Sequence, residues 1–262
     1  MAKRDPKPDG RRPPPVDFGF RRVSTDEKGR LVRAVFDEVA PRYDLMNDLM
    51  SAGVHRLWKR AFIEALAPRP GLTILDLAGG TGDIASGILN RLAGRRDPAG
   101  DSTVIVCDAS PSMIEAGRRR ARGPARAIRW LCADAEALPM AEMSVDAVTI
   151  AFGLRNVTRI ERALGEARRV LRPGGRFLCL EFGRVVLPLL DRIYERYSFA
   201  VVPLLGALVA RDRDAYQYLV ESIRRFPPQA ELAGRMERAG LERVSYRNLS
   251  GGIAAIHSAW RL

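Results

Sequence analysis

The stretch Thr73-Ile74-Leu75-Asp76-Leu77-Ala78-Gly79-Gly80-Thr81-Gly82-Asp83 constrains this chain more than any other. A short apolar run (Ile74, Leu75, Leu77) reads as a buried strand with one acidic residue, Asp76, inside it. Gly79, Gly80 and Gly82 follow, and Ile84-Ala85-Ser86-Gly87-Ile88-Leu89 then resumes at helical spacing. Strand, glycine turn and helix is how an α/β sheet presents backbone N–H groups to a nucleotide-like ligand at a strand's carboxyl end. Lacking a Cβ, Gly80 and Gly82 let the main chain approach such a ligand closely.

Two cofactors suit this loop. Gly80-Thr81-Gly82-Asp83-Ile84-Ala85 satisfies the dinucleotide pattern G-x-G-x-x-G/A, which alone discriminates weakly. Asp76 shifts the balance toward S-adenosylmethionine, whose amino acid end carries an ammonium that a carboxylate under the loop complements. A pyrophosphate would be repelled by Asp76 and Asp83 flanking its cradle. The stretch resembles the first motif of class I methyltransferases, acidic-x-G-x-G-x-G, with Ala78 in the place of the first glycine.

After the loop the elements alternate, which predicts a parallel, doubly wound α/β sheet. Strands are expected at 103–107, 128–132, 145–152 and 176–181, the last entered through the turn Arg172-Pro173-Gly174-Gly175. Residues 241–246 and 254–258 read as two further strands, an antiparallel pair at the sheet edge. Ahead of the loop, Ser24-Thr25-Asp26-Glu27 is a capping box that opens a helix with the stripe Leu31, Val32, Val35, Phe36 and Val39. A second helix runs from Val54 to Leu66. These two helices suit either a lid over the site or a cover for one sheet edge. Residues 1–22 hold five prolines and mixed charge and read as a disordered basic tail. A single domain is expected over 23–262: a helical lid (23–70), a cofactor-binding core (71–183), an apolar helical substrate insertion (184–235) and C-terminal edge strands (236–262).

Charge is placed unevenly on this 262-residue chain of net charge +12. Residues 1–33 carry ten Lys/Arg against five Asp/Glu, and Ala116 to Leu131 carries six Arg and no acid. Such patches suit an anionic membrane surface, a nucleic acid or an acidic substrate, although only four of the 43 basic residues are Lys, an Arg bias of the whole chain. An RNA-binding reading lacks the aromatic platforms that single-stranded RNA generally needs, so no nucleic acid partner is expected. Cys107, Cys132 and Cys179 each lie in an expected strand without zinc spacing, and they read as core fillers in a reducing compartment. No signal peptide is visible, and the longest uncharged apolar run, Tyr197 to Ala210, is too short to span a bilayer. The expected location is cytoplasmic, with peripheral contact at the inner face of the membrane.

Acidic residues close three successive strands. Asp108 after the second can accept the two ribose hydroxyls, and Asp134 after the third can receive the adenine amino group. Several segments then resemble one family. They are Asp44-Leu45-Met46-Asn47-Asp48-Leu49-Met50-Ser51, His55-Arg56-Leu57-Trp58-Lys59, Asp76 to Asp83, Phe152-Gly153-Leu154-Arg155-Asn156-Val157-Thr158, Tyr216 to Ile223 and Gly251 to His257. Together these resemble the ubiquinone/menaquinone biosynthesis C-methyltransferases, from about residue 24 to the C-terminus. The resemblance implies a Rossmann-like class I methyltransferase with a mostly parallel seven-stranded sheet and an antiparallel edge strand. It implies methyl transfer from S-adenosylmethionine to a ring carbon of a polyprenylated benzoquinol or of demethylmenaquinol, without a metal. Cofactor contacts carried over fall on Thr81, Asp108, Asp134, Ala135 and Ala151, beside Asp76, Gly80 and Gly82 from the loop itself. Asp134 stands where the family commonly has Asn, and Ala151 where it commonly has Ser.

The reaction asks for an in-line approach and a group that favours phenolate-like charge on the ring. Arg155 and Asn156, after the fourth strand, suit that role, with Arg155 on the phenolate and Asn156 on the other ring oxygen. A salt bridge to a neighbouring acid is the plainer reading of Arg155. Tyr43, Asp44 and His55 are candidates to take the ring proton, while His257 reads as structural. The apolar stretch from Val185 to Ala210 suits a pocket for an isoprenoid tail, or equally ordinary core or a homodimer face. Rival readings are a methyltransferase acting on another aromatic small molecule and an NAD-dependent oxidoreductase.

Overall fold

The computed structural model describes residues 15–39, 51, 53–94, 102–186 and 213–262. A small antiparallel hairpin comes first, β1 (Val16–Phe18) against β2 (Arg21–Val23). Residues 16–22 are therefore ordered, which corrects the expectation of a disordered tail through residue 22. What holds them is distant in sequence. Phe18 stacks on Tyr218 with ring centroids 4.2 Å apart, and the Phe20 N–H donates to Glu221 Oε2 at 2.9 Å.

Helix α1 (Thr25–Val39) starts at the expected cap, where the Glu27 N–H donates to Ser24 Oγ at 3.2 Å. Helix α2 (His55–Leu66) buries Trp58, Phe62 and Leu66. Then the alternation begins: β3 (Thr73–Leu77), α3 (Asp83–Ala93), β4 (Thr103–Asp108), α4 (Pro111–Arg120), β5 (Arg129–Cys132), β6 (Val145–Ala151), α5 (Ile160–Val170) and β7 (Leu171–Phe182). Two more helices, α6 (Arg213–Arg225) and α7 (Gln229–Arg238), precede β8 (Glu242–Leu249) and β9 (Ala254–Trp260).

Seven strands form the main sheet in the order β5-β4-β3-β6-β7-β9-β8. The first five run parallel, and β9 is antiparallel to both of its neighbours. The last strand in sequence thus inserts between β7 and β8 and is not itself the edge. Composition explains the choice: Ala254 to Trp260 is almost wholly buried, whereas β8 carries Glu242, Arg243, Arg247 and Asn248 and is mostly exposed. The Arg172-Pro173-Gly174-Gly175 segment, expected as a turn, belongs to β7 as an irregularity in its pairing with β6, where Leu171 faces Val145 and Arg176 faces Ala147.

Period-two alternation splits the interior into two apolar layers, one on each face. Ile74, Leu178 and Leu180 point into a layer with Trp58, Phe62 and Ile88. Leu75, Leu77, Phe177 and Cys179 point into the other, with Leu164 and Phe226. Cys107 and Cys179 are buried, as expected, but Cys132 is exposed. That correction follows from topology, because β5 is an outer strand and Cys132 is its last residue.

Packing around α4 gives a prediction of unusual sign. Gly117 lies within α4, and a Cβ there would stand 2.3 Å from the Trp130 ring and 2.9 Å from the Thr81 carbonyl oxygen. In an exposed helix Gly→Ala gains about 1 kcal/mol, but overpacking here costs about 1–3 kcal/mol. Gly117→Ala should therefore lower the thermal midpoint by several degrees in calorimetry; an unchanged or raised midpoint would contradict this packing.

Candidate active site

Parallel strands leave their carboxyl ends on one side of the sheet, and there β3, β4, β5 and β6 open into a cleft of about 850 Å³, open solvent included. The glycine loop forms its floor. The Gly79 N–H donates to the Cys107 carbonyl at 3.1 Å, and the Gly82 N–H to the Gly79 carbonyl at 2.9 Å. Ala78, at the place where the family motif has glycine, takes a left-handed φ of 50°, and Gly153 packs so closely that a Cβ on it would lie 2.6 Å from the Ala78 Cβ.

Asp76 lies directly behind this loop. Its Oδ2 stands 2.8 Å from where a Cβ on Gly79 would be. The Thr149 hydroxyl donates to Oδ1 at 2.8 Å, but Oδ2, which is buried, has no partner of hydrogen-bond geometry among the described residues. Burial pushes the Asp76 carboxyl up to about 7, an effect the Thr149 hydroxyl and the Ala85 amide only partly offset. Such a group waits for a cation.

Asp108 joins two elements. Its Oδ2 accepts from the Gly80 N–H and its Oδ1 from the Ser110 N–H, each at 2.9 Å. Burial raises its pKa, and those backbone amides oppose the rise. Each oxygen still has a lone pair for a hydroxyl donor. Asp134 is exposed at the cleft rim, its Oδ1 accepting from the Glu136 N–H at 2.9 Å, with Ala135 buried beside it. Thr81 and Gly82 are buried behind the floor. Gly82, at φ 81°, caps α3 against the Trp130 ring. Ala151 ends β6 and packs on the apolar layer that holds Trp58, while the next residues, Phe152 and Gly153, line the cleft.

The remaining wall comes from α1, through Val32, Arg33 and Phe36. Asp37 of the same helix accepts hydrogen bonds from the Ser110 and Ser112 hydroxyls at the start of α4. The two N-terminal helices thus divide the roles left open by the sequence: α1 walls the cleft, whereas α2 covers the sheet.

Catalytic candidates separate likewise. Asn156 lines the cleft. Arg155 is buried and donates through NH1 to both Glu181 oxygens, at 3.1 and 3.2 Å, and to the Phe152 carbonyl. The plainer reading of Arg155 is realised here in the ion pair with Glu181, and Arg155 is not among the residues lining this cleft. Its charge instead ties the Phe152–Asn156 turn to the end of β7, and Phe152 is held at a left-handed φ of 55°. His55 is buried at the start of α2, its Nδ1 2.9 Å from Ser51 Oγ, and is not among the residues lining the cleft. Tyr43 and Asp44 lie outside the described residues. His257 is structural, with Nε2 3.0 Å from the Gln229 carbonyl.

The donor set fits S-adenosylmethionine: an orphaned buried carboxylate oxygen behind a glycine floor, a second carboxylate within the fold and a third at the rim. Residues 22–261 match the model of the ubiE/COQ5 methyltransferase family. A ubiquinone/menaquinone biosynthesis C-methyltransferase UbiE of Acidiphilium cryptum is 59% identical over 249 residues, covering 94% of this chain and 97% of that protein. The one of Paracoccus denitrificans is 55% identical over 252 residues, 95% of this chain and 98% of its own. Among solved structures, a possible histamine N-methyltransferase of Thermotoga maritima superposes with a TM-score of 0.63 at 20% identity, over 88% of this chain and 100% of the other. A Haemonchus contortus phosphoethanolamine N-methyltransferase in complex with S-adenosyl-L-methionine does so at 0.54 and 13% identity, over 78% and 52%. These two likenesses establish the fold.

Two measurements test this electrostatic arrangement. The folded protein keeps the Asp76 proton up to about pH 7, the unfolded chain only to about pH 4. Between these values the native state binds more protons, so cofactor-free stability falls as pH rises through that window, by about 4 kcal/mol at most, and levels off above it. Asp76→Asn should lack this fall. In denaturant titrations it should exceed the wild type at pH 8 and converge with it near pH 4; parallel curves would contradict the buried carboxylate. Arg155→Ala leaves Glu181 buried without its cation and should lose about 3–5 kcal/mol. Arg155→Met with Glu181→Leu should recover most of that loss in urea unfolding, and equal stability of the single variant would dissolve the ion pair's scaffolding role.

Proposed function

This chain belongs to the ubiE/COQ5 methyltransferase family, and on that premise we propose that it methylates a ring carbon of a polyprenylated benzoquinol, of demethylmenaquinol, or of both, in ubiquinone/menaquinone biosynthesis. The observation that carries the reading is the unpartnered Asp76 oxygen behind the glycine floor. The names of the relatives at 59% and 55% identity supply the substrate class.

Bound S-adenosylmethionine supplies an electrophilic methyl on a positively charged sulfur, with a neutral thioether as leaving group. The chain's own groups do the rest. Asp76 offers its carboxylate to the ammonium and is deprotonated as that charge arrives. Asp108 takes the ribose hydroxyls on oxygens already aligned by Gly80 and Ser110. Asp134 and Ala135 receive the adenine edge. Phe152, Gly153 and α1 exclude water from the remaining walls.

On the substrate side, Asn156 donates its amide to a ring oxygen and favours the charge that develops there as the ring carbon attacks. Arg155 acts through Glu181 and the Phe152 carbonyl, holding the turn that presents Asn156. The ring proton leaves to Tyr43 or Asp44, both carried by the N-terminal segment, since His55 is buried against Ser51 away from the cleft lining. A quinol with an isoprenoid tail resides in a bilayer, so the enzyme works from the cytoplasm at the membrane's inner face, drawn there by its basic segments. No helix among the described residues is long and apolar enough to cross a membrane. The apolar stretch from Val185 to Ala210, most of which lies outside the described residues, receives the tail or joins two copies.

Calorimetry should detect S-adenosylhomocysteine binding and no NADH binding, and labelled methyl should pass from S-adenosylmethionine to a dithionite-reduced benzoquinol or demethylmenaquinol. Cells lacking the protein should accumulate the unmethylated precursor. Asn156→Ala should keep S-adenosylhomocysteine affinity within about twofold and lose about 10²-fold in kcat, the usual cost of one donor to a developing oxyanion. Transfer to neither quinol would reject the substrate class, and no uptake of S-adenosylhomocysteine would reject the enzyme assignment itself.

A further inference from the structure

Asn156 is held from an unexpected direction. Its Oδ1 lies 3.1 Å from the Tyr218 hydroxyl, on α6, and its Nδ2 lies 3.5 Å from the Phe152 carbonyl. Tyr218 is buried, and the face of its ring is covered by Phe18 of the N-terminal hairpin, the two planes inclined by only 18°. The hairpin is fixed to the same helix by the Phe20 N–H on Glu221 and by the Arg225 guanidinium 5.4 Å over the Phe20 ring. A chain of contacts thus runs from β1 through α6 to the one catalytic candidate among the described residues that lines the cleft.

We propose that Tyr218 is a positioning residue for the methyl-transfer site: its hydroxyl donates to Asn156 Oδ1 and locks the amide with Nδ2–H available to the ring oxygen, and Phe18 holds Tyr218 in place. The alternative amide orientation would set Oδ1 against the Phe152 carbonyl oxygen, which already accepts from Arg155, so two acceptors would face each other. Only the orientation with Tyr218 as donor avoids this. Burial raises the Tyr218 pKa, with Glu181 adding to the rise and Arg155 opposing it, so the phenol keeps its proton at physiological pH and remains a donor. Without that hydroxyl the amide is free to rotate, and the donor toward the ring is present for only part of the time. The inference rests on the role given to Asn156 above.

Tyr218→Phe isolates the hydroxyl, because it keeps the ring that stacks on Phe18. In this variant S-adenosylhomocysteine affinity should stay within about twofold and the thermal midpoint within a few degrees. The kcat on the quinol should fall about tenfold, and Tyr218→Phe should add almost nothing to Asn156→Ala, since the two share one interaction. Phe18→Ala should reproduce part of the kcat loss. A readout independent of turnover is the Asn156 side-chain amide in NMR spectra of the folded protein. Its two protons should be distinct and slowly exchanging in the wild type, and should exchange at least tenfold faster in Tyr218→Phe. An unaltered amide in that variant, or multiplicative losses in the double variant, overturns the positioning role. A wild type that methylates no quinol, yet whose Asn156 amide still loosens in Tyr218→Phe, sinks the substrate reading and leaves the positioning standing.

Discussion

A carboxylate placed in the interior without a counter-charge is the constraint on which this structure turns. Asp76 sits in β3, the middle one of the five parallel strands, with its Oδ2 left without a partner among the described residues. Fold and function oppose each other at this residue. The cofactor-free protein bears the cost of burying it, and only a cation entering over the glycine floor removes that cost. The surrounding structure has to be rigid enough to keep water out and open enough to admit a ligand. Both demands are met by the same parallel sheet, because its strands all end at the cleft while its two apolar layers enclose the rest.

A second buried charge is handled in the opposite way. Arg155 and Glu181 neutralise each other's charge, and they fix the turn that carries Phe152, Gly153 and Asn156. Such a pair adds little net stability over an apolar packing, but it specifies one arrangement of the turn. The positive φ values of Ala78 and Phe152 fall on the two loops that pack together at Gly153. Strain at both loops, held by the strands behind them, is what a preorganised binding floor looks like in backbone terms.

How far the site was legible depended on the range of its interactions. Asp76 announces itself by lying inside an apolar run, and Gly80, Asp108 and Asp134 by lying just after one, because strand ends in a doubly wound sheet share one edge. Ala135 and Asn156 also came through resemblance, and both line the cleft. Val32 and Phe36 were visible only as an apolar stripe, which core and cleft wall share. Glu181 ended an expected strand just as Asp76 sits in one, yet nothing local marks it as the partner of Arg155 rather than as a ligand group. Tyr218 and Phe18 are 200 positions apart in the chain, and no local pattern joins them.

By itself the sequence determined the class of fold, the loop that receives the cofactor and the sign of the charge that loop awaits, because strand period, glycine spacing and a carboxylate in an apolar run are local facts. The tertiary structure alone decided that β9 slips inside β8, that Cys132 faces outward, that residues 16–23 form a hairpin, and that Arg155 belongs to Glu181. Each of these is a competition between distant partners for burial or charge, and its outcome depends on which surfaces the finished sheet brings within reach.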